Sequence, residues 1–232
     1  MMIRLCGQGL RGLAVAVGLW AVTACDNGGQ AGPGEDAGAS LPTRLDGPGP
    51  EATDENGFAK GPLVYGRDDA PVTIIEFASW TCGHCGTFHR EVFPEIKEKL
   101  VDTGKARFVM MDWPRQGFDL IVSSLARCDG PDAFPARAKL IFSMQSQWLN
   151  RQAPDELPKL MRVQTGMPRS KYDRCTSNQS LQTHLAEWGK ELGEAFNIEY
   201  TPFIVVNGRE LDLEPGRGQY EQIAEAVTAA QS

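Results

Sequence analysis

Apolar residues along this chain fall in short runs whose spacing alternates between the two-residue period of a strand and the 3.6-residue period of a helix. Val72 to Ala78 is β-branched and almost wholly apolar and follows Ala70-Pro71, which predicts a strand buried on both faces. Phe88, Val92, Ile96 and Leu100 then recur at helical spacing with charges between them, predicting an amphipathic helix from Gly83 to about Leu100 that Pro94 should kink. Lys105 to Trp113, centred on Phe108 to Met111, reads as the next strand. Strand, helix and strand in that order make a right-handed parallel βαβ unit. Near the end, Pro202 to Val206 and Arg209 to Leu213 flank Asn207-Gly208, a strong hairpin signal. A closing helix carries Tyr220, Ile223 and Val227 on one face.

Between these halves, Arg115 to Glu194 has no strand-like run but several helical stripes, among them Leu140, Met144 and Trp148, then Leu181, Leu185, Trp188 and Leu192. These predict core seams of an inserted helical bundle. At the other end, Arg4 and Arg11 precede the apolar run Gly12 to Ala24, which is shorter than the roughly 20 residues that span a bilayer and reads as an export signal. From Asp26 to Gly57 the only large apolar residues are Leu41 and Leu45. Such a segment is expected to be a flexible acidic tether. The boundaries expected are therefore 1–24 for the signal, 25–60 for the tether, 61–114 and 195–232 for two halves of an α/β unit, and 115–194 for the helical insertion.

With 232 residues and 41% hydrophobic composition the chain can bury a core, and its formal charge of −7 argues against nucleic acid or anionic lipid as a partner bound through charge. Four of the six cysteines lie beyond residue 25, an even number that suits an oxidising compartment. The close pair, Cys82-Gly83-His84-Cys85, opens the first helix. Cysteines three apart on a helix face the same side at a separation a disulfide can bridge. Cys82 at the helix N-terminus is expected to be the exposed sulfur of low pKa, with His84 adding a donor or a positive charge, and Cys85 the buried resolving sulfur. No cofactor is expected and no metal, since the second ligand pair of a structural zinc site is missing. Glu76 alternates with Val72, Ile74 and Ala78, so its carboxylate should be buried without a partner, which would raise its pKa. His89 and His184 read as ordinary helix-surface residues.

Glu76 six positions before Cys82, the Cys-Gly-His-Cys opening a helix, the distant Thr201-Pro202 entering a strand and the helical insertion together resemble the DsbA family of periplasmic thiol–disulfide oxidoreductases, over about residues 62–230. The resemblance implies a thioredoxin fold with an inserted helical domain and an enzyme that donates disulfides to exported proteins. It implies a proton relay through Glu76 to Cys85, and a cis Pro202 beside the cysteines with Thr201 offering backbone groups to an extended substrate. Some members carry a structural disulfide in the helical region, which the placement of Cys128 and Cys175 resembles; two free thiols is the alternative. Val22-Thr23-Ala24-Cys25 resembles the lipobox of bacterial lipoproteins, implying lipid attachment at Cys25. With Asp26 following, this implies retention at the periplasmic side of the inner membrane, near a membrane redox partner. Gly83 departs from the proline of DsbA, and Thr before Pro202 resembles reductases and isomerases. A tethered disulfide reductase and a non-catalytic binding subunit therefore stand as alternatives.

Overall fold

The computed structural model describes residues 48–231. The signal, Cys25 and the tether as far as residue 47 lie outside these residues. Five strands form one mixed sheet in the order β1-β3-β2-β4-β5, comprising β1 (Leu63–Tyr65), β2 (Thr73–Ala78), β3 (Arg107–Asp112), β4 (Phe203–Val206) and β5 (Arg209–Glu210). Only β2 and β3 run parallel; the other pairings are antiparallel. The three inner strands are buried almost throughout, as their unbroken apolar runs require. Glu76 pairs with Met110 on one side and Ile204 on the other, so a carboxylate sits in the middle of the central strand.

The helical path 83–101 connects β2 to β3. It begins as α1 (Gly83–Thr87), widens to a π-helical turn at Phe88–Val92, returns to α2 (Phe93–Ile96) and widens again at Lys97–Val101. Pro94 is the physical reason for the first widening: its ring conflicts with a carbonyl four residues back, and the preceding amide of Phe93 bonds five residues back to Phe88. The expected kink is taken up in this way.

Six helices lie between the halves: α3 (Gly117–Arg127), α4 (Phe134–Ser143), α5 (Gln145–Trp148), α6 (Ala153–Thr165), α7 (Arg169–Thr176) and α8 (Gln179–Ala195). The stripe Leu181, Leu185, Trp188 and Leu192 is buried. That of Leu140, Met144 and Trp148 is not one seam, because the helix breaks at Met144 and only Trp148 is fully buried, its indole N–H donating to Ile141 O at 2.9 Å. A buried ion pair, Arg127 Nη1 to Asp112 Oδ2 at 2.5 Å, ties α3 to the end of β3.

After β4, Asn207 and Gly208 both adopt positive φ, 44° and 78°, the backbone a two-residue hairpin turn demands. The returning strand is shorter than expected: only Arg209 and Glu210 pair in register with β4, both exposed at the edge, Leu211 keeps one backbone hydrogen bond by donating its amide to Ile204 O at 2.9 Å, and Asp212 and Leu213 lie outside the strand. α9 (Gln219–Ala230) closes the fold with Ile223 and Val227 buried. Two features were not foreseen. The three-residue β1 is too short to show a period. The end of the expected tether, up to residue 60, is docked: Thr53 bridges Ala59, Phe58 and Ala59 are buried, and Ala59 N–H donates to Arg127 O at 3.1 Å. Two apolar side chains suffice to seat it, and the Asp54 carboxylate fastens it by accepting from Phe58 N and Asn178 Nδ2.

Candidate active site

The short segment between β2 and α1 brings Cys82 to the helix N-cap, with extended backbone at φ −85° and ψ 116°. There its sulfur accepts from the Cys85 amide at 3.4 Å and lies 3.3 Å from the Thr201 carbonyl, which the thiol form donates to. Cys82 and Cys85 are free thiols. The Cys82 pKa is lowered to about 5, first by a hydrogen bond from the Cys85 thiol, against an opposing contribution from burial, and then by contact with Thr201 and by the backbone amides of Cys85 and His84. Burial pushes the Cys85 thiol up, reinforced by its donation to Cys82 and by the nearby charge of Glu76. Charge is thus assigned to the outer sulfur and the proton to the inner one.

Several expectations about this region are refined or corrected by the structure. Cys82 is not exposed: it is 4% accessible, because Thr201 covers it. His84 is exposed, and the expected donor to Cys82 is its backbone amide. Glu76 is fully buried but is not without a partner, since His89 Nε2 lies 2.8 Å from its Oε2 in a hydrogen bond. His89 is therefore no surface residue. Its side chain is 6% accessible and stacks flat on Phe142, with ring centroids 4.1 Å apart and planes 2° from parallel. Cys82, Cys85 and His89 are spaced three and then four apart, so helical geometry puts them on one side, facing the strand that carries Glu76. That spacing was the signal that would have found His89. His184 also departs from the surface reading: it is half-buried on α8 beside Trp188, and burial lowers its pKa.

The peptide Thr201-Pro202 is cis and leads directly into β4. Thr201 is buried, whereas Tyr200 beside it is 46% exposed. Cys128 and Cys175 are bonded with Cα atoms 5.2 Å apart, joining the end of α3 to α7. No group of three or more His, Cys, Asp or Glu among the described residues is placed to hold a metal ion.

The helical insertion also fixes the loop ahead of Cys82, through residues that sequence reasoning missed. Gln145, buried at the start of α5, donates through Nε2 to the carbonyls of Trp80 and Cys82 at 2.8 and 2.9 Å. Asp119, also buried, accepts from Ser79 Oγ, Thr81 N, Thr81 Oγ1, Arg115 N and Gln116 N. Trp80 donates to Ser123 Oγ at 2.8 Å and stacks on Phe142. Gln116 and Asp119 form a capping box on α3, a pattern readable in sequence, but nothing local marks Gln145.

Comparison with known proteins agrees with this geometry. A family model described as thioredoxin matches residues 59–228. A Rickettsia felis protein named as a protein-disulfide oxidoreductase is 28% identical over 169 residues, which are 72% of this chain but only 59% of that protein's length. Disulfide bond formation protein D of Bacillus subtilis is 28% identical over 178 residues, 72% of this chain and 76% of that protein. Among solved structures, a protein-disulfide isomerase from Novosphingobium aromaticivorans superposes with a TM-score of 0.63 at 24% identity, covering 73% of this chain and 97% of its own.

Proposed function

The chain belongs to the thioredoxin family, and from that premise we propose that it is an extracytoplasmic thiol–disulfide oxidoreductase that donates disulfides to exported proteins through Cys82 and Cys85. The observation that carries the reading is the asymmetry of the pair: a low-pKa sulfur at a helix N-cap backed by a buried thiol that keeps its proton. A stabilised thiolate stabilises the reduced form, so the oxidised form tends to pass its bond on. In that direction a substrate thiolate attacks Cys82 Sγ of the Cys82–Cys85 disulfide. The new intermolecular S–S bond forms as the old one breaks, the electron pair leaves on Cys85, and Cys85 takes up a proton. A second substrate thiolate then attacks the substrate sulfur and releases Cys82 as thiolate. Thr201, next to the cis Pro202 and with its carbonyl 3.3 Å from Cys82 Sγ, would pair through its backbone with an extended substrate. The names of the Rickettsia and Bacillus relatives support the same chemistry.

The setting belongs to the proposal as well. Lipid attachment at Cys25 would hold the domain at the periplasmic side of the inner membrane, beside a membrane partner that reoxidises it. No helix among the described residues is long and apolar enough to cross a membrane. Gly83 and the Thr before Pro202 favour a second reading, a tethered reductase. Equilibrating the Cys82–Cys85 disulfide of protein lacking Cys25 with a glutathione buffer separates the two. A potential well above the approximately −270 mV of thioredoxin is expected for a donor, whereas a thioredoxin-like value would overturn the direction. Should Cys82→Ser leave function intact, the role would be non-catalytic binding instead.

A further inference from the structure

The exchange step leaves open where the Cys85 proton comes from, and the surroundings of Glu76 bear on it. Glu76 is fully buried in the central strand, close enough to Cys85 for its charge to act on that thiol. One carboxylate oxygen is held by His89, while no donor among the described residues reaches the other, Oε1. The Glu76 carboxylate has no exposed surface of its own, whereas His89 also lines a cleft of about 240 Å³ with Tyr65, Phe93, Pro94, Lys97 and Lys139.

We propose that His89 is a positioning residue that works through Glu76, holding its carboxyl group toward Cys85 and replacing, from the cleft, the proton that Glu76 gives up. This rests on the oxidoreductase reading above and extends it to a specific pair. When substrate opens the Cys82–Cys85 bond, the electron pair arrives on Cys85 Sγ and the Glu76 carboxyl proton moves to it. The carboxylate left behind is compensated by His89, which takes a proton from water in the cleft and passes one on to Glu76. Closing the disulfide runs the same transfers in reverse. Flat stacking on Phe142 holds the imidazole plane so that Nε2 faces Glu76. The other titratable groups around the pair are Cys85 on α1, Tyr65 on β1, Lys97 on the second π-helical turn and Lys139 on α4. Tyr65 stays protonated across the working range, with burial and then Glu76 pushing it up to about 12. The two lysines line the cleft that His89 also lines.

Gln approximates the reach of His Nε2 and can keep the hydrogen bond, but it cannot carry a proton. The test is the rate at which glutathione opens the disulfide between pH 5 and 9 in wild type, His89→Gln, Glu76→Gln and the double variant. Each variant is expressed as a ratio to wild type at the same pH, so that ionisation of glutathione cancels. His89→Gln is expected to slow opening roughly tenfold, below the ~10²–10⁴-fold that a direct proton donor contributes, with a ratio that changes with pH. The double variant is expected to be no slower than Glu76→Gln, since the two act as one unit. The Cys82 thiolate absorbance should titrate as in wild type. A pH-independent ratio near one for His89→Gln, or additive losses in the double variant, would overturn the pair. If wild-type protein does not exchange with glutathione at all, the oxidoreductase reading fails instead.

Discussion

At the scale of single residues, Cys82 has the clearest consequence. Its folded pKa, about 5, lies well below the 9.0 of an ordinary thiol. A depressed acid stabilises the folded reduced protein fully above the unfolded pKa, and that stabilisation is lost as pH falls through the folded value. Urea unfolding of the reduced protein should therefore show stability declining from about pH 9 to about pH 5, relative to the oxidised protein, in which this group does not titrate. Cys82→Ser should remove that difference. Identical pH profiles for the two redox forms would mean that the thiolate is not stabilised. The type and spacing of the two cysteines were legible in the sequence, because helix period and N-terminal amides are local properties. That Cys82 is covered was not, since the covering residue, Thr201, is 119 positions away.

At the scale of elements, the contact between α5 and α1 decides how rigidly the redox loop is held. Gln145 can lie across the start of α1 only because residue 86 is glycine. A Cβ there would come within 2.0 Å of Gln145 Oε1 and 2.7 Å of its Cδ. Gly86→Ala should therefore displace a buried amide and leave the carbonyls of Trp80 and Cys82 without their donor, a loss of about 1–3 kcal/mol per buried polar group left unpaired. Chemical denaturation would measure it, and Gln145→Leu should reproduce much of the loss in a background that keeps Gly86. An unchanged midpoint in both variants would show that the clamp does not matter. The stripes Leu181 to Leu192 and Ile223 to Val227 were readable because apolar periodicity reports the buried face. Gln145 was not, because one buried polar residue has no period.

At the scale of the whole molecule, the Cys128–Cys175 bond closes a long loop, with 47 residues of sequence separation, inside the insertion that carries Gln145 and Asp119. The chain-entropy relation puts its contribution at about 4 kcal/mol. Replacing both cysteines with serine should lower stability by up to that amount. The Cys82 thiolate titration should stay in place, because none of the groups that set it touches this bond. A titration that moved with the bond would show that the two sites are coupled.

Legible in the order of residues alone were the alternation of elements, the sheet's buried strands, the helical character of the insertion, the hairpin at Asn207-Gly208 and the placement of Cys82 and Cys85 at the start of a helix. Each is set by backbone periodicity or by neighbours within one helical turn, so each is written in local order. Long-range packing set the rest: Thr201 roofs Cys82, Asp119 and Gln145 hold the loop before it, His89 partners Glu76, and Phe58 and Ala59 anchor the end of the expected tether. Most of these contacts join residues 38 to 119 positions apart. The reason is physical: a polar side chain is tolerated inside a protein when folding delivers its partner, and where that partner comes from is a property of packing that no local pattern carries.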